Sequence, residues 1–547
     1  MNDLTGVNYE DFVKKIEAFE QTSILMSTLR QCWDLFDKDK KNYRLTPAAI
    51  FSRIFAIAMA TESNSDKKIT PDELEALSED YYFIESGCSY DPNSLSTNDP
   101  LKRKISDLAF FESEVNNLLL AIDEKKEVKK YNIQKSIVKE SLMVNFVQRE
   151  LGLQFEDYET ARRNMARSWA VLKFLGRNLL KENVDINKFL CGSRGFNMQP
   201  IAAFTSAIAI ISAAKNSQIQ GLFCVENIVI EKSIAIRANI DHGTLKLLAS
   251  RLAASVESYK AWHTQKVLTL GGYYKKYAPS FIYELPLVDA KELISNCPKN
   301  AYFCPAPSIF INYVSEMFFK YLRDNEKHLG VNIKSKMGDA YEEYIDLALG
   351  NIFPEGHVKE KISDLANEEK KADFVIETDN AIWIIECKKS IGGVRTRTIS
   401  SPKDIVDSWA ILLGACEQCS ATAKQLVEQK RANGKPIIPV ILIADTIILE
   451  GKIFQKMAFN SKIFECLNLE YVEIFPLDMF EEVFISIEEK NIVAAIQKKW
   501  AEIKRGDDAW FCKDVCDIAP LRDKASIPSE FPHLTPYYDE ILPRPKS

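Results

Sequence analysis

Apolar residues recur at helical spacing through most of the first 330 residues. The segments with the clearest helical period lie near 48–60, 105–121, 158–180, 198–214, 243–265 and 308–328. A cap residue followed by proline, which favours a helix start, occurs at Thr46-Pro47, Thr70-Pro71 and Asp99-Pro100. In Leu222–Ala238, by contrast, β-branched residues predict a hairpin or a small sheet. The pattern predicts a mainly α-helical region over 1–330, with a candidate break into two subdomains near 185–240.

From Gly338 onward the pattern alternates between helices and strands. We predict helices at Asp339–Leu349, from Ser401 to about Ala432 and near 488–504, and strands near 356–362, 372–377, 381–388, 436–444 and 470–476. This order predicts an α/β domain over 331–505, with a central mixed sheet flanked by helices. Residues 506–547 form a proline-rich tail, with six prolines from Pro520 onward, which we expect to pack as extended chain.

Two of these strands, 372–377 and 381–388, are separated by a very short turn. If Asp379-Asn380 form a two-residue hairpin loop, residue 378 pairs with residue 381. Asp and Asn tolerate the positive φ angles that such a loop requires. The pairing register of the whole hairpin follows from this turn.

The register brings three charged residues to one end of the hairpin. Asp373 lies opposite Glu386, and the period of two puts Lys388 on the same face. A slip of one residue would separate them. Two carboxylates and an ammonium group at the end of two apolar strands are suited to hold a divalent cation beside a phosphate.

Composition and charge limit the alternatives. The chain has 547 residues, which is too long for one core, and 46% hydrophobic with 27% charged residues is typical of a soluble globular protein. A formal charge of -7 excludes a uniformly basic nucleic-acid binder. No stretch is apolar enough to span a bilayer, and the first residues do not resemble a signal peptide. Twelve cysteines without a framework spacing predict reduced thiols and a cytoplasmic location.

The order of helix, three strands, helix and strand, with Asp373 and a Glu386-x-Lys388 motif on the second and third strands, resembles the PD-(D/E)XK nuclease superfamily. The resemblance covers roughly 335–480 and implies the restriction-endonuclease-like fold. Ala372 stands where many members carry the proline before the aspartate.

Two further motifs extend the resemblance. Gly338-Asp-Ala-Tyr-Glu342 is similar to the first-helix motif of the family, so Glu342 is expected near the metal, with Glu343 as the alternative. Lys424-Gln425-Leu426 resembles the second-helix glutamine of some members, which makes Gln425 a candidate site residue.

The resemblance implies a Mg²⁺-dependent nuclease in which Mn²⁺ can substitute. Asp373 and Glu386, the backbone carbonyl of Cys387, and Glu342 directly or through water would supply hard oxygen ligands. The metal would lower the pKa of a bound water. Lys388 would orient this water or stabilise the transition state.

The segment after the motif is basic. Glu386–Lys403 carries mostly Lys and Arg among its charged residues, and candidate phosphate contacts are Lys389, Arg395, Arg397 and Lys403. Basic loops also occur merely for solubility, so the composition leaves both interpretations open.

We therefore predict a metal-dependent nuclease that hydrolyses phosphodiester bonds, with DNA as substrate. By family analogy alone, a role in prokaryotic restriction or antiviral defence follows. Residues 1–330 would select the substrate, bind a protein partner or form a homo-oligomer. Three alternatives remain: a surface ion-pair set at a strand end, the same fold without activity, and a catalytically silent sensor that binds nucleic acid or a partner through the helical region.

Overall fold

The chain forms two compact units, which we describe from a computed structural model. The described residues are 9–37, 48–86, 108–129, 135, 158–192, 196–268, 281–294, 297–353, 358–361, 371–388, 402–444, 472–505 and 531–541. Those of the first unit lie within Met1–Asp107, Leu153–Ala340 and Leu534–Ser547. Those of the second unit lie within Leu108–Gly152 and Tyr341–His533. The division thus differs from a single break near residue 330.

The described ranges are mainly helical. The helices are α1 (Tyr9–Glu17), α2 (Gln21–Asp37), α3 (Ala48–Ala60), α4 (Pro71–Ser86), α5 (Leu108–Glu124), α6 (Lys126–Lys129), α7 (Tyr158–Lys181), α8 (Ile186–Cys191), α9 (Pro200–Lys215), α10 (Lys232–Ala238), α11 (His242–Leu252), α12 (Val256–Trp262), α13 (Pro307–Asp324), α14 (Glu326–Leu329), α15 (Ile333–Ile352), α16 (Pro402–Glu428), α17 (Leu477–Ser486), α18 (Glu489–Arg505) and α19 (Thr535–Ile541). The strands are β1 (Leu222–Cys224), β2 (Ala253–Ala254), β3 (Leu287–Asp289), β4 (Ala301–Phe303), β5 (Val358–Lys361), β6 (Phe374–Glu377), β7 (Ile382–Lys388), β8 (Ile437–Ile443) and β9 (Glu473–Pro476). Within these ranges, no helix is both long and apolar enough to cross a membrane.

The first unit contains the central helix α9 and a small sheet. Helix α9 is apolar on nearly every side, from Ala202 to Ala214, and such a helix is stable only when it is buried. The sheet has the strand order β1-β4-β3-β2. The mainly helical character predicted for this part of the chain is confirmed.

The segment Leu222–Ala238 differs from its prediction. Only Leu222–Cys224 is a strand, and it pairs with β4 rather than with a neighbour in sequence. Lys232–Ala238 is helix α10, which ends at Asn239 in the left-handed conformation with φ of 52°. The hairpin prediction is therefore wrong for this helix, because β propensity is a weak preference that a local cap and tertiary contacts override.

The second unit is built on a five-stranded mixed sheet with the order β5-β6-β7-β8-β9. Strands β5, β6 and β7 are antiparallel, whereas β7, β8 and β9 are parallel. Helix α16 connects β7 to β8, as a crossover between parallel strands requires. The mixed sheet with flanking helices is the α/β architecture predicted for this region.

The register of the β6–β7 hairpin is the one that the turn predicts. Phe374 pairs with Ile385, and Glu377 pairs with Ile382. The pairing continues into the turn, where the N–H of Thr378 donates to the carbonyl of Ala381 at 3.0 Å. The predicted pairing is therefore confirmed, but neither Asp379 nor Asn380 adopts the positive φ angle expected of the loop. The N–H groups of Asn380 and Ala381 instead donate to the Thr378 hydroxyl, at 3.2 and 3.0 Å.

Helix α18 fixes the turn end of this hairpin through Glu489. One oxygen of Glu489 accepts hydrogen bonds from the Thr378 hydroxyl at 2.5 Å and from the Trp383 indole N–H at 2.6 Å. The other accepts from the Asn380 amide at 3.0 Å. Both carboxylate oxygens thus have donors, and the polar turn is anchored to the helix.

The described part of the C-terminal tail is helical. Helix α19 packs in the first unit, where Glu540 accepts hydrogen bonds from Trp169 and Lys173, both at 2.7 Å. Thr205 of α9 donates to the carbonyl of Ile541 at 2.8 Å. The prediction of extended chain is wrong for Thr535–Ile541, where Pro536 in the first turn is compatible with a helix start.

Candidate active site at the end of the β6–β7 hairpin

The structure brings Asp373, Glu386 and Lys388 together at the end of the hairpin opposite its turn. Asp373 immediately precedes β6. Phe374 pairs with Ile385, so the same register places Asp373 opposite Glu386. The backbone N–H of Cys387 donates to Asp373 Oδ2 at 2.7 Å. The first carboxylate is therefore held by the backbone of the strand that carries the other two residues.

Glu386 is deeply buried. Its side chain is 1% exposed, and that of Lys388 is 23% exposed. Lys388 Nζ forms an ion pair with Glu386 Oε1. Glu386 Oε2 finds no hydrogen-bond donor among the residues that the structure describes. A surface ion-pair set does not account for such a buried acid, and an unsatisfied carboxylate oxygen in a protein interior requires an explanation.

Both carboxyl groups bind protons more tightly than usual. Burial is the main cause for Glu386, and the charge of Asp373 adds to it. Lys388 and, to a smaller extent, the backbone of Asp373 oppose it, and the pKa of Glu386 is raised to about 8. The pKa of Asp373 is also raised, again chiefly by burial, while the hydrogen bond from Cys387 opposes the shift. The one positive charge of Lys388 does not offset the negative charges of Asp373 and Glu386. A further cation beside the two carboxylates would therefore be favourable.

Helix α15 brings a third acid within electrostatic range. The charge of Glu342 raises the pKa of Asp373 and of the Cys387 thiol. Both Glu342 and Glu343 are half-buried. Of these two sequence candidates, Glu342 is the one whose charge acts on both groups.

The glutamine beside Lys388 is Gln418, not the predicted Gln425. Gln418 Oε1 accepts a hydrogen bond from Lys388 Nζ at 3.2 Å, and its Nε2 donates to the carbonyl of Lys371 at 3.1 Å. Gln425 lies seven residues further along α16, or about 10 Å at the helical rise per residue. Both glutamines belong to α16, and the assignment of Gln425 to the site remains a prediction.

Two residues of the site neighbourhood, Gln418 and Thr422, were missed. They are four residues apart on the face of α16 that includes the buried Ala415 and Cys419. The helical period of these apolar positions was the signal that could have found them.

The predicted phosphate contacts cannot be compared with the geometry. Lys389, Arg395 and Arg397 lie outside the described residues. Lys403 is in the first turn of α16, but its side chain is also outside the described part of the chain. These four assignments remain predictions.

The donor groups at this strand end can be compared with the ligands that a metal ion requires. Among the side chains that the structure describes, no three His, Cys, Asp or Glu groups are gathered to hold an ion. The donor chemistry nevertheless fits a hard divalent cation, since two carboxylates lie side by side, the charge of Glu342 acts on Asp373, and Glu386 Oε2 is unsatisfied. Lys388 occupies the other oxygen of Glu386 in this arrangement.

Comparison with known proteins adds no relative. No protein-family model, curated protein or solved structure matches the chain. Any functional conclusion therefore depends on the order of the elements and on the geometry of these residues.

Proposed function

We propose that this chain is a metal-dependent nuclease that hydrolyses phosphodiester bonds in DNA. The observation that carries the proposal is the meeting of Asp373, Glu386 and Lys388 on one hairpin end, with Glu386 buried and one of its oxygens unsatisfied. A buried acid pair with raised pKa values, beside a partly exposed lysine, is typical of a functional site rather than of a structural ion pair.

The order of the elements supports the same proposal. Helix α15 precedes the antiparallel strands β5, β6 and β7, and α16 then leads to the parallel strand β8. This is the order that the resemblance to PD-(D/E)XK nucleases implies. We propose the restriction-endonuclease-like fold for the second unit on this basis, and a defence role is an analogy that depends on it.

The proposed metal is Mg²⁺, with Mn²⁺ as a substitute. Asp373, Glu386 and the carbonyl of Cys387 would hold it, with Glu342 directly or through water. When bound, it would supply positive charge next to the phosphate and lower the pKa of a bound water.

Lys388 has a separate task. Its side chain is 23% exposed, whereas that of Glu386 is 1% exposed, so we propose that Lys388 reaches a phosphate oxygen from beside the buried acid. Of its three N–H groups, one donates to Glu386 and one to Gln418, which leaves one for the reacting phosphate or for the attacking water. Its donors would stabilise negative charge that develops in the transition state.

The test is cleavage by the purified full-length protein with Mg²⁺ or Mn²⁺. Supercoiled plasmid, linear duplex, single-stranded DNA and RNA serve as substrates, with and without cell extract in case a partner is required. We expect Asp373→Asn and Lys388→Met to lower the cleavage rate by roughly 10²–10³-fold while DNA binding stays within about threefold.

Asp379→Asn provides the matched control. It removes a carboxylate from the same hairpin, but at the exposed turn. We expect it to cleave as the wild type does. Cleavage that persists in Asp373→Asn and Lys388→Met would overturn the proposal, as would a wild-type protein that cleaves none of these substrates with either metal.

A further inference from the structure

The peptide group between Lys371 and Ala372, one residue ahead of Asp373, is held at both ends by helix α16. Its carbonyl oxygen, from Lys371, accepts the hydrogen bond from Gln418 Nε2 at 3.1 Å. Its N–H, from Ala372, donates to Thr422 Oγ1 at 2.9 Å. A trans peptide is planar, and its C=O and N–H point in opposite directions, so partners one helical turn apart can hold both ends.

The two side chains are themselves locked in place. The Thr422 hydroxyl donates to the backbone carbonyl of Gln418 at 2.9 Å, so its lone pair faces the Ala372 N–H. The Gln418 amide donates to Lys371 and accepts from Lys388, and only one orientation of the amide satisfies both contacts. Thr422 is 1% exposed and Ala372 is 3% exposed, so water does not compete for this hydrogen bond.

We propose that Thr422 is a positioning residue for the carboxylate of Asp373. Together with Gln418 it fixes the orientation of the Lys371–Ala372 peptide, and so the direction in which the chain enters Ala372 and then Asp373. The Asp373 side chain is thereby positioned from one residue away. The Cys387 N–H holds the carboxylate from the other strand. The same turn of α16 thereby aligns both Asp373 and Lys388. Because the role of Asp373 is part of the proposed function, this inference rests on that proposal.

The decisive variant is Thr422→Val, which keeps the shape of the side chain and removes the hydroxyl. Loss of residues that orient ligand groups typically lowers metal affinity or activity by 10–100-fold. We expect kcat to fall by about tenfold with KM within about twofold, and the Kd for Mn²⁺ alone, measured by calorimetry, to rise by about three- to tenfold. Thr422→Ala, carried in parallel, removes the hydroxyl without a second methyl group. Thr422→Ser restores the hydroxyl and should return both values to near those of the wild type.

Amide hydrogen exchange gives a readout that is independent of activity. In Thr422→Val, exchange should accelerate in the peptide that contains Ala372 and stay unchanged in peptides from β8. Thr28→Val is the control, because Thr28 is equally buried, but its bonding partners among the described residues are carbonyls of its own helix, those of Ile24 and Leu25. It should change neither exchange at Ala372 nor Mn²⁺ binding.

The outcomes separate the two proposals. A wild-type protein that neither cleaves nucleic acid nor binds Mn²⁺ would refute the nuclease proposal. The exchange data would still test whether Thr422 holds the Lys371–Ala372 peptide. Unchanged exchange at Ala372 in Thr422→Val would overturn the positioning role. So would a Thr422→Ser variant as impaired as Thr422→Val, because the hydroxyl would then not be the group that matters.

Discussion

Two buried glutamates of the same sheet differ in how well they are paired. Glu473 on β9 is 2% exposed, and each of its oxygens has a donor, Lys499 at 2.7 Å and the Trp500 indole at 2.6 Å. Glu386 on β7 is as deeply buried, but has Lys388 on one oxygen and no donor on the other among the described residues.

The difference is the one expected between an acid that only supports the fold and an acid of a functional site. A buried carboxylate that only supports the fold is stable when donors satisfy both oxygens, as they do in Glu473. The ionised form of Glu386 is poorly stabilised by its surroundings, and its pKa is therefore raised to about 8. The unsatisfied oxygen is what a cation or a substrate could satisfy.

The largest expected effects come from two single variants, in which either Glu473 or Glu386 is replaced by glutamine. Glu473→Gln should lower the free energy of unfolding by about 3–5 kcal/mol, because it leaves the buried Lys499 charge without its partner. Its cleavage rate per folded molecule should remain that of the wild type. Glu386→Gln should do the reverse, with a cleavage rate lowered by roughly 10²–10³-fold and little loss of stability. Chemical denaturation and plasmid cleavage measure both, and a large loss of stability in Glu386→Gln would contradict the contrast.

The pH dependence of stability sharpens the same comparison. The pKa of Glu386 is raised from 4.5 to about 8 in the folded state, so the folded protein holds a proton that the unfolded chain has released between these values. The free energy of unfolding of the metal-free protein should therefore fall as the pH rises from about 5 to 8, by at most about 5 kcal/mol from this group. Denaturation series at several pH values measure the slope. Glu386→Gln should flatten it, and an equally steep slope in that variant would assign the effect to other groups.

The smallest expected effect concerns the turn end of the hairpin. Glu489→Gln keeps one oxygen acceptor, but places an amide donor where Glu489 now accepts from another side chain. We expect a loss of about 1–2 kcal/mol in the free energy of unfolding. Cleavage should stay within about twofold of the wild type, since the change is at the opposite end of the strands from Asp373. A loss of activity larger than the loss of folded protein would show that the turn also controls the site.

The site residues on the hairpin could be predicted because their arrangement is local. A two-residue loop at Asp379-Asn380 leaves one register, and the period of two then puts Asp373, Glu386 and Lys388 on one face. The sequence did not identify Gln418, because a short tripeptide such as the one around Gln425 contains no information on which turn of a long helix faces the strand end. The burial of the helix decides that, and it selects Gln418.

The sequence also could not predict which helices belong to which compact unit. Helix α5 precedes most of the helical region in sequence, but belongs to the unit that contains the site, where Lys125 pairs with Asp407 of α16 at 2.8 Å. Helix α19 follows the α/β region, but packs with α7 and α9 in the first unit. Composition along the chain cannot reveal such exchanges, because they depend on which apolar faces match in space.

The sequence by itself determined the order of the elements from α15 to β9, the hairpin register and the three charged residues at the hairpin end, since periodicity and turn chemistry act between near neighbours. Only the tertiary structure decided the burial that raises the pKa of Glu386 and the position of Glu342 close enough to act on Asp373. It also decided the hydrogen bonds of Gln418 and Thr422 to the Lys371–Ala372 peptide. These features require segments dozens of residues apart to pack together, and the low dielectric that gives the acids their unusual proton affinity exists only after they have done so.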